Sequence, residues 1–538
     1  MNDRSFVKHA AVYGLASLLV QAGGFVLLPL YTHCLTPSDY GVLEVLGRLA
    51  ETVGTCLMFG GFRQALLTFY QQSQHESERR RVVATTLSLF GVTGLLGGGL
   101  VLALAGPLSG MLNSFIHHDA PGLSPWLLRL AILAILLEPL SQIPLTLLQA
   151  RVESVRFVSI TLTQFVVRVG LCVLFVKCLD GGVTGALGAT ALMGAVFGLG
   201  LCTRELLRGP AWPDLGQLRA LLRFALPLMP GGLCFFLLHH GDRFFLLRYC
   251  GTEDVGTYAL GYKLALAAGM FSLSPLYMVW SAHMYKEAKA ADAPVVFGTV
   301  FTRILASYLL VALGLALFQD EVVIVLGGAP YARASAVVAP VLLAYFCQSA
   351  ASLMDAGLYV RHRTGLKLAT TLATTVVMLV LYAVLIPAYG SMGAAIATLV
   401  GFAFLAVCTW AVTQRVFPVH YEWSRLLSML GLAIGLWLVS RWLPAVPWAW
   451  PAKVGLWLVG PIVVWCTGLM SHREKEQVRA LTGEARQRLL GCLTWSRTFR
   501  PPTKTGASVW PEPVSEQVLI VPAGLLDGEQ AATCEQQT

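Results

Sequence analysis

Residues 36–50, TPSDYGVLEVLGRLA, lie over residues 251–265, GTEDVGTYALGYKLA, when the chain is shifted by 215 positions. The shift places Gly41 on Gly256, and it also places an aspartate on an aspartate. Both segments lie inside or beside long apolar runs of the sequence. A repeat of this kind predicts two related groups of membrane helices.

A second echo supports the repeat. Residues 181–190, GGVTGALGAT, resemble residues 389–398, YGSMGAAIAT, at a shift of 208. Each match is weak alone because glycine and alanine are abundant, but two echoes in the same order with nearly the same shift are harder to dismiss. They divide the chain into two halves of six predicted spans each, 1–206 and 216–416. An even number of spans gives both halves the same orientation in the membrane.

The composition is that of a membrane protein. Of 538 residues, 56% are apolar and only 12% are charged, and the mean hydropathy is +0.68. The 38 lysines and arginines against 29 acidic residues could suggest a nucleic-acid partner. Here the basic residues fall in short loops between apolar runs, which is the pattern of membrane topology and predicts no nucleic acid. The 12 cysteines are scattered without a Cys-x-x-Cys pair, so no metal site or disulfide framework is expected.

Apolar windows predict an all-α polytopic membrane protein with about fourteen transmembrane helices. Two parallel six-helix bundles are expected around a central cavity, with two additional C-terminal helices over 426–470. The predicted spans lie near 9–32, 40–62, 82–105, 127–149, 157–178, 183–203, 218–241, 254–280, 299–319, 336–358, 366–387, 391–413, 426–444 and 448–470. The seventh and eighth spans are the weakest, because His239, His240 and Lys263 interrupt them.

The distribution of basic residues predicts the orientation. Arginine and lysine concentrate in alternate connections, beginning with the N-terminal segment and the run Arg79-Arg80-Arg81. The positive-inside rule therefore places both termini in the cytoplasm. Residues 471–538 leave the membrane, and their proline, glycine, glutamine and threonine content predicts a cytoplasmic, largely disordered tail.

Three segments together resemble a known family. They are PLYTHCLTPSDYGVLEV (29–45), GDRFFLLRYCGTEDVGTYALGYKLA (241–265) and LIPAYGSMGAAIAT (385–398). They resemble the polysaccharide and O-antigen flippases of the multidrug/oligosaccharidyl-lipid/polysaccharide exporter superfamily, over about residues 5–415. The resemblance implies a bacterial or archaeal cytoplasmic-membrane protein that moves polyprenyl-diphosphate-linked oligosaccharide outward by alternating access. It also implies that membrane lipids, a polysaccharide polymerase and glycosyltransferases are partners.

The charged residues inside the spans are the candidate substrate site. Glu44, Arg48 and Glu51 are spaced i, i+4 and i+7, so they form one stripe on a helix. The repeat matches Arg48 with Lys263, which puts one cation of each half about 12 Å below the start of its helix. An intramembrane charge is costly unless it faces water or a partner, and such charges usually line pathways. Arg48 and Lys263, with Arg168 deeper, are therefore predicted to form a cationic cavity for a diphosphate.

The alternatives for these charges stay open. Glu44, Arg48 and Glu51 could instead neutralise one another as a structural cluster between helices. Glu44 and Glu51 could hold Arg48 in place or carry a proton or Na⁺ that drives the cycle. Arg168 and Glu138 could pair across the fourth and fifth spans as structural glue.

Further charged residues are candidate gates. Asp242 and Arg243 are predicted in the loop after the seventh span as an outer gate, and Asp355 is an inner-gate candidate. Arg63 either snorkels to the surface or serves an entry gate. His239 and His240 could sense pH but are expected to be interfacial residues without that role.

Three function classes compete at this stage. No phosphate-binding Gly-x-x-x-x-Gly-Lys-Ser/Thr loop is present, so an H⁺, Na⁺ or substrate gradient is the expected energy source, and no cofactor is expected. A cation-coupled drug or small-solute exporter of the same fold is the main alternative, although a cationic cavity argues against it. A membrane glycosyltransferase or polymerase would need paired carboxylates in a large extramembrane loop. The longest loops have about 20 residues and lack such pairs, so a non-enzymatic flippase is the leading hypothesis.

Overall fold

The structure is a computed structural model that describes residues 25–54, 60–115, 124–151, 153–208, 212–226, 229–442 and 450–466. The described residues form helices and connecting turns, without a strand. A 3₁₀ turn spans Ala329–Ala334. The helices are α1 Phe25–Cys34, α2 Pro37–Gly54, α3 Gly60–Gln72, α4 Glu76–Ala103, α5 Ala105–Phe115, α6 Pro125–Ala150, α7 Ser154–Cys178, α8 Gly182–Arg208, α9 Leu215–Ala225, α10 Met229–Tyr249, α11 Thr252–Glu287, α12 Ala293–Leu317, α13 Gln319–Gly327, α14 Ser335–Val360, α15 Thr364–Val416, α16 Trp423–Ser440 and α17 Trp450–Cys466.

The protein is an all-α polytopic membrane protein, as predicted. In the described part of the chain, nine helices are long and apolar enough to cross a membrane, or ten if the bent pair α9 and α10 is one span. The helix α2 is not among the nine, because four of its eighteen residues are charged. The number fourteen remains a prediction. Most of the first predicted span, and all of the tail beyond 466, lie outside the described residues.

The crossing of α2 and α11 joins the two segments of the first echo. A Cβ atom on Gly41 would lie 1.8 Å from the Thr252 carbonyl oxygen, and one on Gly256 would lie 2.0 Å from the Pro37 carbonyl oxygen. Pro37 and Thr252 are themselves matched by the shift of 215, so the two contacts are reciprocal. Only glycine permits this approach of two helix backbones. The two helices therefore touch at their N-terminal ends with local two-fold symmetry.

The second echo also has matching geometry. Gly182 and Gly390, which the shift of 208 superimposes, take φ values of +52° and +55°. A left-handed φ is available to glycine without the clash of a Cβ atom. Gly390 breaks α15 at the boundary predicted between the spans 366–387 and 391–413. The division of the chain into two bundles remains a prediction.

The seventh predicted span differs from the structure. Instead of one helix over 218–241, α9 and α10 meet at an angle of 42°, and α10 continues to Tyr249. Pro230 lies in the first turn of α10, where the missing N–H group leaves no helical hydrogen bond unmade. Residues 242–249 are therefore helical and not part of a loop.

The two C-terminal helices pack on the second half. The indole Nε1 of Trp457 in α17 donates a hydrogen bond to the carbonyl oxygen of Leu310 in α12, at 3.0 Å. Lys453 Nζ, also of α17, lies 2.5 Å from Glu321 Oε1 of α13. Both contacts fix α17 against α12 and α13.

Candidate functional site

The charged stripe of α2 forms the first part of the site. Arg48 Nε donates to Glu44 Oε1 at 3.1 Å, and its Nη1 donates to Glu51 Oε2 at 2.6 Å. These are the i, i+4 and i, i+3 pairs that the helical period requires. Side-chain exposure rises along the stripe, from 5% for Glu44 to 24% for Arg48 and 43% for Glu51. The stripe is therefore buried near the crossing and open toward the C-terminal end of α2.

Lys263 brings the second half of the chain to the same carboxylate. Its Nζ lies 2.7 Å from Glu44 Oε2 and donates to the Tyr40 hydroxyl at 2.8 Å. Glu44 thus bridges Arg48 and Lys263, the two cations that the repeat matches. A buried carboxylate with a cation on each oxygen replaces lost water contacts with charge-assisted hydrogen bonds.

The third cation, Arg243, comes from α10. Its Nη1 donates to Asp242 Oδ1 at 2.6 Å and to the His239 carbonyl oxygen at 3.0 Å, and its Nε lies 3.7 Å from Glu44 Oε1. The guanidinium also lies over the Tyr262 ring, 4.2 Å from its centroid. A carboxylate, a carbonyl oxygen and an aromatic ring therefore hold the charge in the interior, although Nε makes no hydrogen bond within the described residues.

The predicted loop position of Asp242 and Arg243 is wrong. Their side chains are only 1% and 2% exposed, within a helix. The dipeptide Gly241-Asp242 looks like a turn, but α10 restarts at Met229 and so reaches past it. The Tyr258 hydroxyl donates to the second oxygen of Asp242 at 2.7 Å, which completes the burial of that carboxylate. An outer-gate role for this pair remains a prediction.

The two histidines of α10 make polar contacts with neighbouring helices. His240 Nε2 lies 3.3 Å from Arg48 Nη1, and His239 Nε2 lies 3.1 Å from the Gln348 side-chain nitrogen. Both therefore belong to the polar interior around α10. Sequence reasoning did not place the two histidines or Tyr40 in the site, because Gly241 and Asp242 favoured a turn after the seventh span.

The charges of this site balance. We name it the central ion cluster, and it has three cations and three carboxylates: Arg48, Lys263, Arg243, Glu44, Glu51 and Asp242. Three positive and three negative formal charges sum to zero. In this conformation the cluster is therefore a set of ion pairs between α2, α10 and α11, and its cations are not an unpaired positive surface. Both the substrate-binding and the structural interpretations remain compatible with this geometry.

The remaining predicted residues lie apart from the central ion cluster. Arg168 Nη1 of α7 pairs with Glu138 Oε1 of α6 at 3.2 Å, which is the arrangement of the structural alternative. Asp355 of α14 pairs with Lys367 of α15, so this contact joins neighbouring helices of one half. The backbone of Arg63 is in α3, but its side chain is outside the described atoms. Within the described ranges, no three His, Cys, Asp or Glu side chains are grouped to hold a metal ion.

Comparison with known proteins identifies the fold. The structure of the lipid II flippase MurJ in an inward closed conformation matches with a TM-score of 0.65 at 12% identity, over 84% of this chain and 97% of that one. An inward-facing multidrug resistance MATE family transporter of the MOP superfamily matches with 0.58 at 16% identity, over 76% and 94% of the two chains. An outward-facing transporter of that family matches with 0.53 at 14% identity, over 76% and 95%.

The sequence itself decides the family. A search of curated protein sequences finds no match. The family model described as "Polysaccharide biosynthesis protein" matches residues 6–281, and this segment includes α2, α10 and most of α11. Because the model spans more than half of the 538 residues, the chain belongs to the polysaccharide biosynthesis protein family.

Proposed function

We propose that this protein is a flippase that moves polyprenyl-diphosphate-linked oligosaccharide from the cytoplasmic to the outer leaflet of the cytoplasmic membrane, for surface polysaccharide such as O-antigen, capsule or exopolysaccharide. The observation that carries the proposal is the central ion cluster, in which cations of both halves share Glu44. Membership of a polysaccharide biosynthesis family supports the substrate class. The flippase works by alternating access and has no enzymatic activity. A polymerase and glycosyltransferases are its expected partners in biosynthesis.

The cluster supplies a way to hold a diphosphate. Arg48 offers a planar fork to phosphate oxygens, and Lys263 offers a mobile point charge. Both side chains are about one-quarter exposed on the open side of the cluster, where a substrate can reach them. Without substrate, Glu44 and Glu51 neutralise these cations, which removes the cost of unpaired charge in the membrane. On binding, the diphosphate competes with the two carboxylates for the same donors.

The same contacts couple binding to conformation. The ion pair of Lys263 with Glu44 ties α11 to α2, next to the glycine crossing of these helices. On the predicted topology this crossing faces outward, so the described state is closed at the outward end of α2 and α11. When substrate takes Lys263 from Glu44, the tie weakens and the N-terminal ends of α2 and α11 can separate. An H⁺ or Na⁺ gradient is the proposed energy source, with Glu44 or Glu51 as the acceptor.

A second candidate is a cation-coupled drug or small-solute exporter. The charge balance of the central ion cluster is the observation that favours this exporter, because a neutral cluster does not repel a cationic solute as a bare cationic cavity would. The fold likeness to MATE transporters is compatible with both candidates. The presence of Arg48, Lys263 and Arg243 on three helices supports the anionic substrate.

Genetic complementation tests the proposal. In a strain deleted for the gene, we expect Arg48→Ala and Lys263→Ala to abolish surface polysaccharide while the protein stays in the membrane. Lys289→Ala, which removes an exposed lysine just after α11, is the matched control and should complement fully. Membrane abundance is measured for every variant by immunoblot. Full complementation by both cluster variants would exclude these cations from transport, whereas drug sensitivity with intact polysaccharide would favour the exporter.

A further inference from the structure

A second polar site lies at one end of the helices of the first half. Four helix ends meet there: the end of α3, the start of α4 and the ends of α6 and α8. Two adjoining cavities of about 280 and 500 Å³ lie among them, and both are lined by Tyr70, Glu76, Arg79 and Arg151. The smaller cavity is also lined by Arg80, Glu205 and Arg208. We name this site the arginine pocket.

Glu205 and Tyr70 hold the walls of the arginine pocket in place. Glu205 is buried, and its two oxygens pair with Arg151 Nη1 at 3.0 Å and with Arg208 Nη1 at 2.7 Å. The Tyr70 hydroxyl accepts a hydrogen bond from Arg151 Nε at 3.1 Å. Each guanidinium has five N–H donors, so these contacts orient the groups without using all of their hydrogen-bonding capacity. Arg151 and Arg208 are therefore oriented before any ligand binds.

Arg79 and Arg80 give the pocket its excess charge. Arg79 lies over the Tyr70 ring, 5.5 Å from its centroid, and donates to the Ser73 carbonyl oxygen. Among the described residues it has no carboxylate within ion-pair distance. Arg80 has one weak partner, Glu76, at 3.5 Å, and both side chains are about half exposed or more. Four arginines against two glutamates leave a formal charge of +2 in the smaller cavity.

We infer that the arginine pocket binds the phosphate head group of a lipid. Planar arginine forks on a rigid wall suit phosphate oxygens. Basic pockets between transmembrane helices on the cytoplasmic side are a recognised form of lipid head-group site. Leu206 lines the pocket and the next residue, Leu207, is 84% exposed, so apolar surface for acyl or prenyl chains continues beside the charges. A free phosphate ion would have no use for this apolar border.

Two lipids carry the required chemistry. One is an anionic phospholipid, and the other is a polyprenyl diphosphate that docks before it moves to the central ion cluster. A lipid site at this pocket is compatible with any transported substrate. A failure to detect lipid binding there would therefore leave the flippase proposal unaffected. The pocket also shares none of its residues with the central ion cluster.

The test uses purified full-length protein in detergent with three probes: cardiolipin, undecaprenyl diphosphate and inorganic pyrophosphate. Diacylglycerol, which has no phosphate, is the negative control. The pocket variant is Arg79→Gln/Arg80→Gln, which leaves the buried Glu205 pairs intact. The matched control is Arg156→Gln/Arg363→Gln, which removes two exposed arginines outside the pocket. Apparent Kd values come from ligand-dependent thermal shifts, and the Tm without ligand checks that both variants are folded.

We expect the pocket variant to bind a phosphate lipid about 25-fold more weakly than wild type, at about fivefold for each arginine. The control variant should bind as wild type does. Weakened binding of cardiolipin alone identifies a phospholipid site, and weakened binding of undecaprenyl diphosphate alone identifies a docking site for the lipid-linked substrate. Equal Kd values for the pocket and control variants would overturn the inference. If the pocket binds pyrophosphate but neither of the two lipids, the inference that its ligand is a lipid would be overturned.

Discussion

The glycine crossing of α2 and α11 predicts that Gly41→Ala opens this end of the protein. The new Cβ atom would lie 1.8 Å from the Thr252 carbonyl oxygen, against about 3.3 Å for a normal carbon–oxygen contact. The two backbones must therefore separate by about 1.5 Å. Overpacking of this kind costs about 1–3 kcal/mol. The higher helix propensity of alanine cancels, because α2 is helical in both conformations. The ratio of closed to open protein should therefore fall about 5- to 150-fold.

Spin labels at Thr36 and Glu253, two exposed positions beside the crossing, report the separation of α2 and α11. In Gly41→Ala we expect a new population at longer distance. Gly47→Ala on the same helix is the matched control, because a Cβ atom there meets nothing within 4 Å. Adding Gly256→Ala should have a less than additive effect, since one separation relieves both clashes. A Gly41→Ala distance distribution identical to that of Gly47→Ala would refute the closure of this end by the crossing.

Two further predictions concern the central ion cluster. Glu44→Gln should lower the free energy of unfolding by about 3 kcal/mol, because Lys263 loses its carboxylate while Arg48 keeps Glu51. Adding Lys263→Met should recover part of this loss, and additive effects in the double-mutant cycle would contradict the pairing. Binding of undecaprenyl diphosphate in sodium-free buffer should take up protons, measured by calorimetry in buffers of different ionisation enthalpy. No proton uptake would exclude proton coupling by the carboxylates.

Much of the central ion cluster could be predicted from sequence because two regular patterns determine it. The helical period brings Glu44, Arg48 and Glu51 together, and the repeat adds Lys263 from the other half. Arg243 follows neither pattern. The residue that the repeat matches with it is the apolar Leu28, and its contact with Glu44 depends on how α10 packs against α2. Packing between helices distant in sequence leaves no periodic signal.

The helix boundaries show the same limit. Gly390 breaks α15 as predicted, because a change of direction there needs a backbone conformation that glycine favours. The end of α10 was predicted eight residues too early, because Gly241 and Asp242 favour turns locally. Burial of the Asp242 side chain against Arg243 and Tyr258 overrides that preference. Local preference fails where a polar side chain finds its partners inside the protein.

The neutrality of the central ion cluster links substrate binding to ion movement in the proposed cycle. Bare cations would make an empty site costly in the membrane, and the three carboxylates remove that cost. A bound diphosphate adds negative charge to a site that already sums to zero. Its binding is therefore favourable when Glu44 or Glu51, displaced from Arg48 and Lys263, takes up a proton or Na⁺. A cationic drug would reverse the sign, since it adds positive charge and favours ionised carboxylates. The direction of ion movement on binding thus follows from the charge of the substrate. Measuring this direction therefore distinguishes the flippase from the exporter.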